Sequence, residues 1–186
     1  MFWFKKLSVS FFILLSFFLN NAFANSETLN SLKEGNKIVF IRHALAPGNG
    51  DPDNFAINDC STQRNLSKKG IEQSKKIGSF FRKNKIKIDA VLSSEWCRCK
   101  DTAFHAFDNF ITFDALNSFY DPKLSKNEKL QIANLKKLIE SWKSDKNLIL
   151  ITHFVVISSL LKTGSSSGEI IVVNKDLEIQ ARMETF

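Results

Sequence analysis

Two arginines and two histidines stand directly after stretches whose pattern is typical of buried β-strands. Arg42 and His43 follow the apolar run over residues 38–41. Arg98 comes shortly after a second predicted strand, and His153 comes shortly after another. Because the carboxyl ends of parallel strands lie along one edge of a sheet, where ligands bind in such folds, we expect these four side chains to converge.

These residue types favour chemistry on a phosphoryl group. Guanidinium groups in a cleft bind an anion with several oxygens through paired hydrogen bonds. A neutral imidazole can attack phosphorus, and a second imidazole can donate a hydrogen bond to the phosphoryl oxygens. The sequence therefore predicts a site that binds and transfers phosphate.

Strand and helix patterns alternate along the chain and predict the scaffold that carries these residues. Such alternation is typical of a three-layer α/β/α sandwich with a mostly parallel central sheet. We expect Ser67 to cap one helix, and Ser125 with Glu128 to form a capping box that opens another. The predicted strands cover residues 38–41, 89–92, about 110–113, 147–151, 169–173 and 177–182. The predicted helices cover residues 67–83, 95–106 and 154–161, and a stretch that begins at Ser125 and buries Ile132, Leu135, Leu138, Ile139 and Trp142.

The four residues belong to motifs that resemble those of the histidine phosphatase superfamily, which includes phosphoglycerate-mutase-like enzymes. Ile41–Ala44 is similar to its Arg-His-Gly/Ala signature. Asn65–Gly70 followed by Gln73 resembles its Leu-Ser/Thr-x-x-Gly-x-x-Gln helix start. Residues 92–103 resemble its Ser-Ser-x-x-x-Arg-x-x-x-Thr-Ala segment, and Ile151–His153 resembles its strand-terminal Thr-His. The four motifs occur in the family's order, which makes the resemblance far more specific than any one of them.

The resemblance implies a mechanism and a substrate class. His43 would be the nucleophile that becomes phosphohistidine, and Arg42, Arg98 and His153 would surround the phosphoryl oxygens. The resemblance implies no metal and no cofactor, and a substrate that is a small phosphorylated compound or a phosphoprotein. Two alternatives stay open: a catalytically weak phospho-ligand binding protein of the same fold, and a protein phosphatase specific for phosphohistidine. Mutase activity on phosphoglycerates is disfavoured by the predicted export and by the short chain.

The chain departs from the family near the leaving group. Many relatives carry an acid after the third strand, whereas this chain has Asn117, which cannot act as a Brønsted acid. The second histidine is followed by Phe154 rather than by the common glycine, which we expect to narrow the pocket. A long segment rich in Pro, Gly and Asp follows the first histidine, and we expect it to form a loop that faces the substrate. Without an acid at Asn117, either the leaving group departs largely unprotonated or the proton comes from another residue, for which Asp51, Asp53 and Glu169 are the candidates.

Residues 1–24 have the three parts of a secretory signal peptide: a short basic start, an apolar run and a small-x-small ending. Cleavage after Ala24 would leave one histidine phosphatase domain over residues 25–186. The alternative is an uncleaved anchor, although the apolar run is shorter than the roughly 20 residues of a membrane span. We therefore expect a periplasmic or secreted protein with no stable membrane insertion after cleavage.

The three cysteines must be interpreted for an oxidising compartment. Cys97 and Cys99 pair poorly with each other because one residue separates them, so we predict a disulfide from Cys60 to either of them and one free thiol. Such a bridge would tie the long loop to the helix of Arg98. A zinc site is disfavoured because no fourth ligand stands nearby, and a cysteine nucleophile because no glycine-rich phosphate loop follows.

The composition excludes several classes of protein. With 44% hydrophobic and 24% charged residues, the 186-residue chain matches neither a disordered or fibrous protein nor a multi-spanning membrane protein. The net charge is +7, and seven of the basic residues lie between Lys68 and Lys85. Because the apolar positions there keep helical spacing, these residues fit a solvated helix face better than a nucleic-acid site.

We expect the protein to be a monomer.

Overall fold

The computed structural model describes residues 26–185, which contain six strands and five α-helices. The signal-peptide prediction for residues 1–24 lies outside this range. Over residues 26–185, no helix is long and apolar enough to cross a membrane. The helices are α1 (residues 26–34), α2 (Lys68–Lys83), α3 (Cys97–Phe107), α4 (Glu128–Ser141) and α5 (Phe154–Leu161). The strands are β1 (Ile38–Arg42), β2 (Ile88–Ser93), β3 (Ile111–Thr112), β4 (Asn147–Thr152), β5 (Ile170–Val173) and β6 (Ile179–Met183).

The strands form one sheet in the order β3-β2-β4-β1-β5-β6. The first four of these strands are parallel, while β5 and β6 are antiparallel to their neighbours. The prediction of a mostly parallel sheet is therefore confirmed. In the β1–β4 pair, Arg42 lies opposite Thr152, and the backbone N–H of His43 donates to the Thr152 carbonyl at 2.9 Å.

Alternate residues of the central strands pack against helices on opposite faces of the sheet. On one face, Val39 and Ile41 contact a core built with side chains of α1, α2 and α3. On the other face, Ile38 and Phe40 join a core built with α4 and α5. All four of these β1 side chains are fully buried. A strand covered on both faces must be apolar at every position, and this is why its sequence is a continuous run rather than an alternating one.

One predicted feature, the capping box, is wrong, and one predicted strand is shorter than expected. The capping box at Ser125 does not form, because residues Ser125–Asn127 make a separate 3-10 turn and α4 begins only at Glu128 without a side-chain cap. The Ser125 hydroxyl instead donates to the Pro122 carbonyl. The third strand, β3, has only two residues, and both are exposed at the edge of the sheet.

A disulfide joins Cys60 to Cys97, with the two Cα atoms 5.7 Å apart. Of the two pairings left open by the sequence, the structure has this one, and Cys99 is the free thiol. The bridge ties the loop between β1 and α2 to the first residue of α3. In the chain-entropy model, a closed loop of this size stabilises the folded state by about 3–4 kcal/mol.

We predict that alkylation of the native protein, prepared from an oxidising compartment, modifies no cysteine. Cys99 is fully buried, and burial raises the pKa of its thiol to about 12, so almost no reactive thiolate is present. Denaturation without reductant should expose one thiol, and denaturation with reductant should expose three. Mass spectrometry of the alkylated peptides measures this. A Cys99→Ala variant is the matched control and should show no thiol before reduction; labelling of Cys60 or Cys97 before reduction would contradict the pairing.

Candidate active site

The structure brings the four predicted residues to one cavity of about 280 Å³ at the carboxyl edge of the sheet. His43 follows β1 and His153 follows β4, and their ring centroids are 5.5 Å apart. Arg98 lies in the first turn of α3, where Nη2 is 3.5 Å from Nδ1 of His153. Arg42 is the last residue of β1. All four predicted residues therefore lie together beside the carboxyl ends of β1, β2 and β4.

Hydrogen bonding sets which nitrogen of His43 carries the proton. Its Nδ1 lies 2.9 Å from the Ala44 carbonyl oxygen, which can only accept. A neutral imidazole in this position must place its proton on Nδ1, which leaves the lone pair on Nε2. Burial lowers the pKa of His43 well below its usual value, and the charge of Arg98 lowers it further. His43 is therefore neutral, which is the form that can act as a nucleophile.

The N-terminus of α2 holds the backbone that follows His43. Ser67 caps the helix through Gly70 N–H, and its hydroxyl donates to the Leu45 carbonyl. Gln73 Oε1 accepts from the Leu45 N–H at 3.0 Å. A Cβ on Gly70 would lie only 2.2 Å from the Leu45 carbonyl oxygen, so the helix can approach this closely only with glycine. These contacts explain the Ser, Gly and Gln positions of the second motif.

The threonine of the third motif connects the two halves of the site. Thr102 Oγ1 accepts from the Ala44 N–H at 3.0 Å and donates to the Arg98 carbonyl at 2.7 Å. This side chain is fully buried. The turn after His43 and the first turn of α3 are thus fixed relative to each other.

A hydrogen-bonded chain orients His153. Its Nε2 lies 2.8 Å from Ser94 Oγ, which in turn lies 3.1 Å from Asn117 Oδ1. The Asn117 amide donates to the Glu95 carboxylate at 2.6 Å. Because Arg98 can only donate to Nδ1, the proton of neutral His153 is on Nε2 and bonds to Ser94. Burial, followed by the charge of Arg98, lowers the pKa of His153 well below its usual value.

Arg42, Arg64 and Arg98 all line the cavity. Arg42 donates to the Ser165 carbonyl at 2.6 Å, and its guanidinium carbon is 5.5 Å from the ring centroid of Phe154, which forms a wall of the cavity. Arg64, which the motif comparison does not single out, also lines the cavity and donates through Nε to the Gly50 carbonyl. Burial lowers the pKa of both Arg42 and Arg64, and the positive charge of Arg98 lowers it further. Such a cluster of like charges favours an anion as its ligand.

Of the three candidate proton donors, the structure places one in the lining of the cavity and two outside it. Asp51 lines the cavity, whereas Asp53 is exposed and does not belong to the cavity lining. Glu169 lies outside the lining as well, because its carboxylate accepts from Arg182 at 2.8 Å and from the Ser166 N–H. Burial alone would raise the pKa of Asp51, but its hydrogen bonds from Arg98 and from the Arg64 N–H hold that pKa below its usual value. Asp51 is therefore ionised in this arrangement.

Several residues that line the cavity do not belong to any of the four sequence motifs. Asp121 brings a second carboxylate to the cavity, on an exposed residue of the segment that follows Asn117. The aromatic walls are Phe55, stacked on Trp96 at 5.0 Å between ring centroids, and the exposed rings of Tyr120 and Phe154. The only sequence signal for Asp121 was its place after the predicted third strand, where many relatives carry the acid.

Within residues 26–185, no group of three or more His, Cys, Asp or Glu side chains is arranged to hold a metal ion. The charged hydrogen-bond donors that line the cavity are the guanidinium groups of Arg42, Arg64 and Arg98. This set suits an oxyanion rather than a cation.

No protein-family model matches the chain, and no curated protein matches it in sequence. Solved structures do match its fold. The protein histidine phosphatase SixA complexed with tungstate is 17% identical with a TM-score of 0.57, over 80% of this chain and 97% of that one. TTHB049 from Thermus thermophilus is 15% identical with a TM-score of 0.58, over 80% and 99% of the two chains. A candidate alpha-ribazole-5'-P phosphatase from Escherichia coli is 15% identical with a TM-score of 0.59, over 81% and 97%. These likenesses show that the chain shares the α/β fold of these solved structures, which is the fold that the resemblance of its motifs predicts.

Proposed function

We propose that this protein is an exported phosphatase that transfers a phosphoryl group from its substrate to Nε2 of His43 and then to water. The observation that carries the proposal is the convergence of a neutral, oriented imidazole and several arginines in one cavity. The structural similarity to the protein histidine phosphatase SixA supports it.

The proposed reaction has two steps. In the first, the Nε2 lone pair of His43 attacks phosphorus, the bond to the leaving oxygen breaks, and phosphohistidine forms. In the second, water attacks the phosphohistidine, the phosphorus–nitrogen bond breaks, and phosphate leaves with His43 restored. Charge on the phosphoryl oxygens is stabilised by Arg42 and Arg98, which the fold already holds beside His43.

His153 completes the pocket. It is neutral in this arrangement, with Nδ1 beside Arg98 and the proton on Nε2. The negative charge of a bound phosphoryl group would favour the doubly protonated imidazole, whose Nδ1–H can then donate to a phosphoryl oxygen. Ser94 would keep accepting from Nε2 throughout, so the ring keeps its orientation.

The walls of the cavity favour a substrate with a flat or apolar group next to the phosphate. Tyr120 and Phe154 are 62% and 43% exposed, although large hydrophobic side chains are mostly buried in this fold. Aromatic rings on a cavity wall stack with planar groups, including aryl rings and the imidazole of phosphohistidine. A small aromatic phosphate and a phosphohistidine-bearing protein both fit this description.

Export is supported by the disulfide between Cys60 and Cys97, a bond that persists in oxidising compartments. It agrees with the signal-peptide pattern over residues 1–24. We therefore place the proposed activity in the periplasm or outside the cell.

We predict that brief exposure to acetyl phosphate or to an aryl phosphate labels His43 with one phosphoryl group. The label should be stable to base and labile to acid, as expected for a phosphorus–nitrogen bond, and peptide mass spectrometry locates it. His43→Ala should lose both label and turnover. Arg98→Ala and His153→Ala should lower turnover by about 100-fold or more, because each removes stabilisation of the transition state.

The matched control for this experiment is His105→Ala, which removes a histidine of α3 that does not line the cavity. It should keep its label and its turnover. Wild-type protein that binds phosphate but never labels would instead indicate a phospho-ligand binding protein, and label on His105 would contradict the assignment of the nucleophile.

We predict that the leaving group governs the rate. Asn117 cannot supply a proton, and Asp51 is already ionised before the substrate binds, so alkyl phosphates should react much more slowly than aryl phosphates, acyl phosphates or phosphohistidine. General acid catalysis contributes about 100- to 10,000-fold where it operates. The measurement is the dependence of the rate of the chemical step on leaving-group pKa. A flat dependence would show that a proton donor acts, and its loss in Asp121→Asn but not in Asp53→Asn would identify Asp121.

We predict that turnover survives exhaustive treatment with a chelator. The proposed charge stabilisation comes from guanidinium groups rather than from a Lewis acid. The measurement is activity after dialysis against EDTA, compared with a mock-dialysed sample. Loss of activity that added divalent metal restores would contradict a metal-independent reaction.

A further inference from the structure

We propose that Asp51 is an internal anion that occupies the phosphoryl-binding face of Arg98 and is displaced when the substrate binds. The inference rests on the proposed phosphate pocket and adds a residue that competes with the substrate inside it. The position of Asp51 in the long loop between β1 and α2 places this competitor on a segment separate from the sheet.

The pair between Asp51 and Arg98 has the geometry that a phosphate would use. Nη1 of Arg98 donates to Oδ1 at 2.7 Å, and Nη2 donates to Oδ2 at 3.2 Å, which is a bidentate contact. The side chains are only 15% and 3% exposed. Arginine forks bind carboxylates and phosphates through the same two parallel hydrogen bonds, so one face of the guanidinium cannot hold both.

Further donors converge on the same carboxylate. The indole Nε1 of Trp96 donates to Oδ2 at 3.0 Å, and the backbone N–H of Arg64 donates to Oδ1 at 3.0 Å. Asp51 therefore collects hydrogen bonds from four N–H groups beside the two histidines. A tetrahedral oxyanion needs a set of donors of this kind.

Charge balance explains both the pairing and the displacement. Arg42, Arg64 and Arg98 line the cavity together, and the single negative charge of Asp51 offsets part of their repulsion. A phosphomonoester dianion offsets more of it, but it would repel the carboxylate in the same confined space. The two anions thus compete for one cluster of arginines.

The loop can release Asp51 while the helix that carries Arg98 stays in place. Asp51 follows Gly50, and both Gly48 and Gly50 have positive φ angles, of 96° and 64°. The far part of the loop is fixed by the disulfide between Cys60 and Cys97. A change at the glycines would move the carboxylate without disturbing the helix that carries Arg98.

The consequence is weaker binding of free phosphate than the arginine cluster would otherwise give. The carboxylate that returns to Arg98 after the reaction competes with the phosphate product and favours its release. Asp51 would then limit product inhibition rather than transfer a proton.

The test is oxyanion affinity in Asp51→Asn, which keeps the size of the side chain and removes its charge. Calorimetry with orthophosphate and with tungstate should give dissociation constants about tenfold or more below those of the wild type, a difference of about 1.4 kcal/mol. The control is Asp53→Asn, which makes the same charge change in the same loop outside the cavity, and its constants should stay within about twofold of the wild type.

Unchanged or weaker binding in Asp51→Asn would overturn the proposal, because it would mean that Asp51 only orients Arg98. The proposed phosphatase function would survive that result if His43 still becomes labelled. Failure of all three proteins to bind either oxyanion would contradict the phosphate pocket itself.

A second measurement does not depend on the variant's folding. In a crystal structure of the wild-type protein with tungstate, the Asp51 carboxylate should lie beyond hydrogen-bond distance of Arg98 while the oxyanion contacts the guanidinium. Tungstate bound with the Asp51–Arg98 pair intact would overturn the proposal.

Discussion

The parallel pairing of β1 with β4 is the constraint on which the rest of the site depends. The register sets Arg42 opposite Thr152, so the two strands end at the same level and release His43 and His153 side by side. Both strands are almost entirely buried, with apolar side chains packed on both faces of the sheet. A slip of register by one residue would therefore move every core side chain of one strand to the opposite face, where it does not fit, and would separate the histidines at the same time. The stability of the core and the geometry of the chemistry are secured by the same contacts.

Burial and the charges in the cavity determine the protonation of the histidines that the two strands position. Burial and the neighbouring arginines keep both histidines neutral, so His43 retains a lone pair for attack. The same arginines repel one another, and the fold holds them together with hydrogen bonds to carbonyl oxygens and with the carboxylate of Asp51. The pocket is thus preorganised for an anion, and its own counter-ion is the first competitor that a substrate meets.

The sequence was sufficient to predict the residues at strand ends and much less informative about the loops. Arg42, His43 and His153 follow continuous apolar runs, and Arg98 comes soon after another predicted strand, so topology alone predicts where they meet. The choice of Cys97 over Cys99 depends on which side of α3 faces the loop, which no local pattern encodes. At Ser125, the residue types fit a capping box, but a 3-10 turn uses the serine otherwise.

The interactions of loop side chains could not be predicted because they depend on backbone positions distant in sequence. Asp51 meets Arg98 across 47 positions of the chain, and Asn117 meets Ser94 across 23. No periodic pattern in the sequence indicates either contact. Asn117 has the wrong chemistry for an acid, yet the structure gives it another task, since it links the Ser94 turn to the Glu95 carboxylate.

The central claim is that His43 is a neutral nucleophile that reacts through Nε2. Long-range proton–nitrogen correlation NMR of the protein, before and after phosphorylation, tests it most directly. At neutral pH the account predicts a neutral His43 ring with its proton on Nδ1, and a phosphorus coupling to Nε2 once the phosphoenzyme forms. A doubly protonated ring, a proton on Nε2 of the free protein, or phosphorus attached to Nδ1 would contradict it.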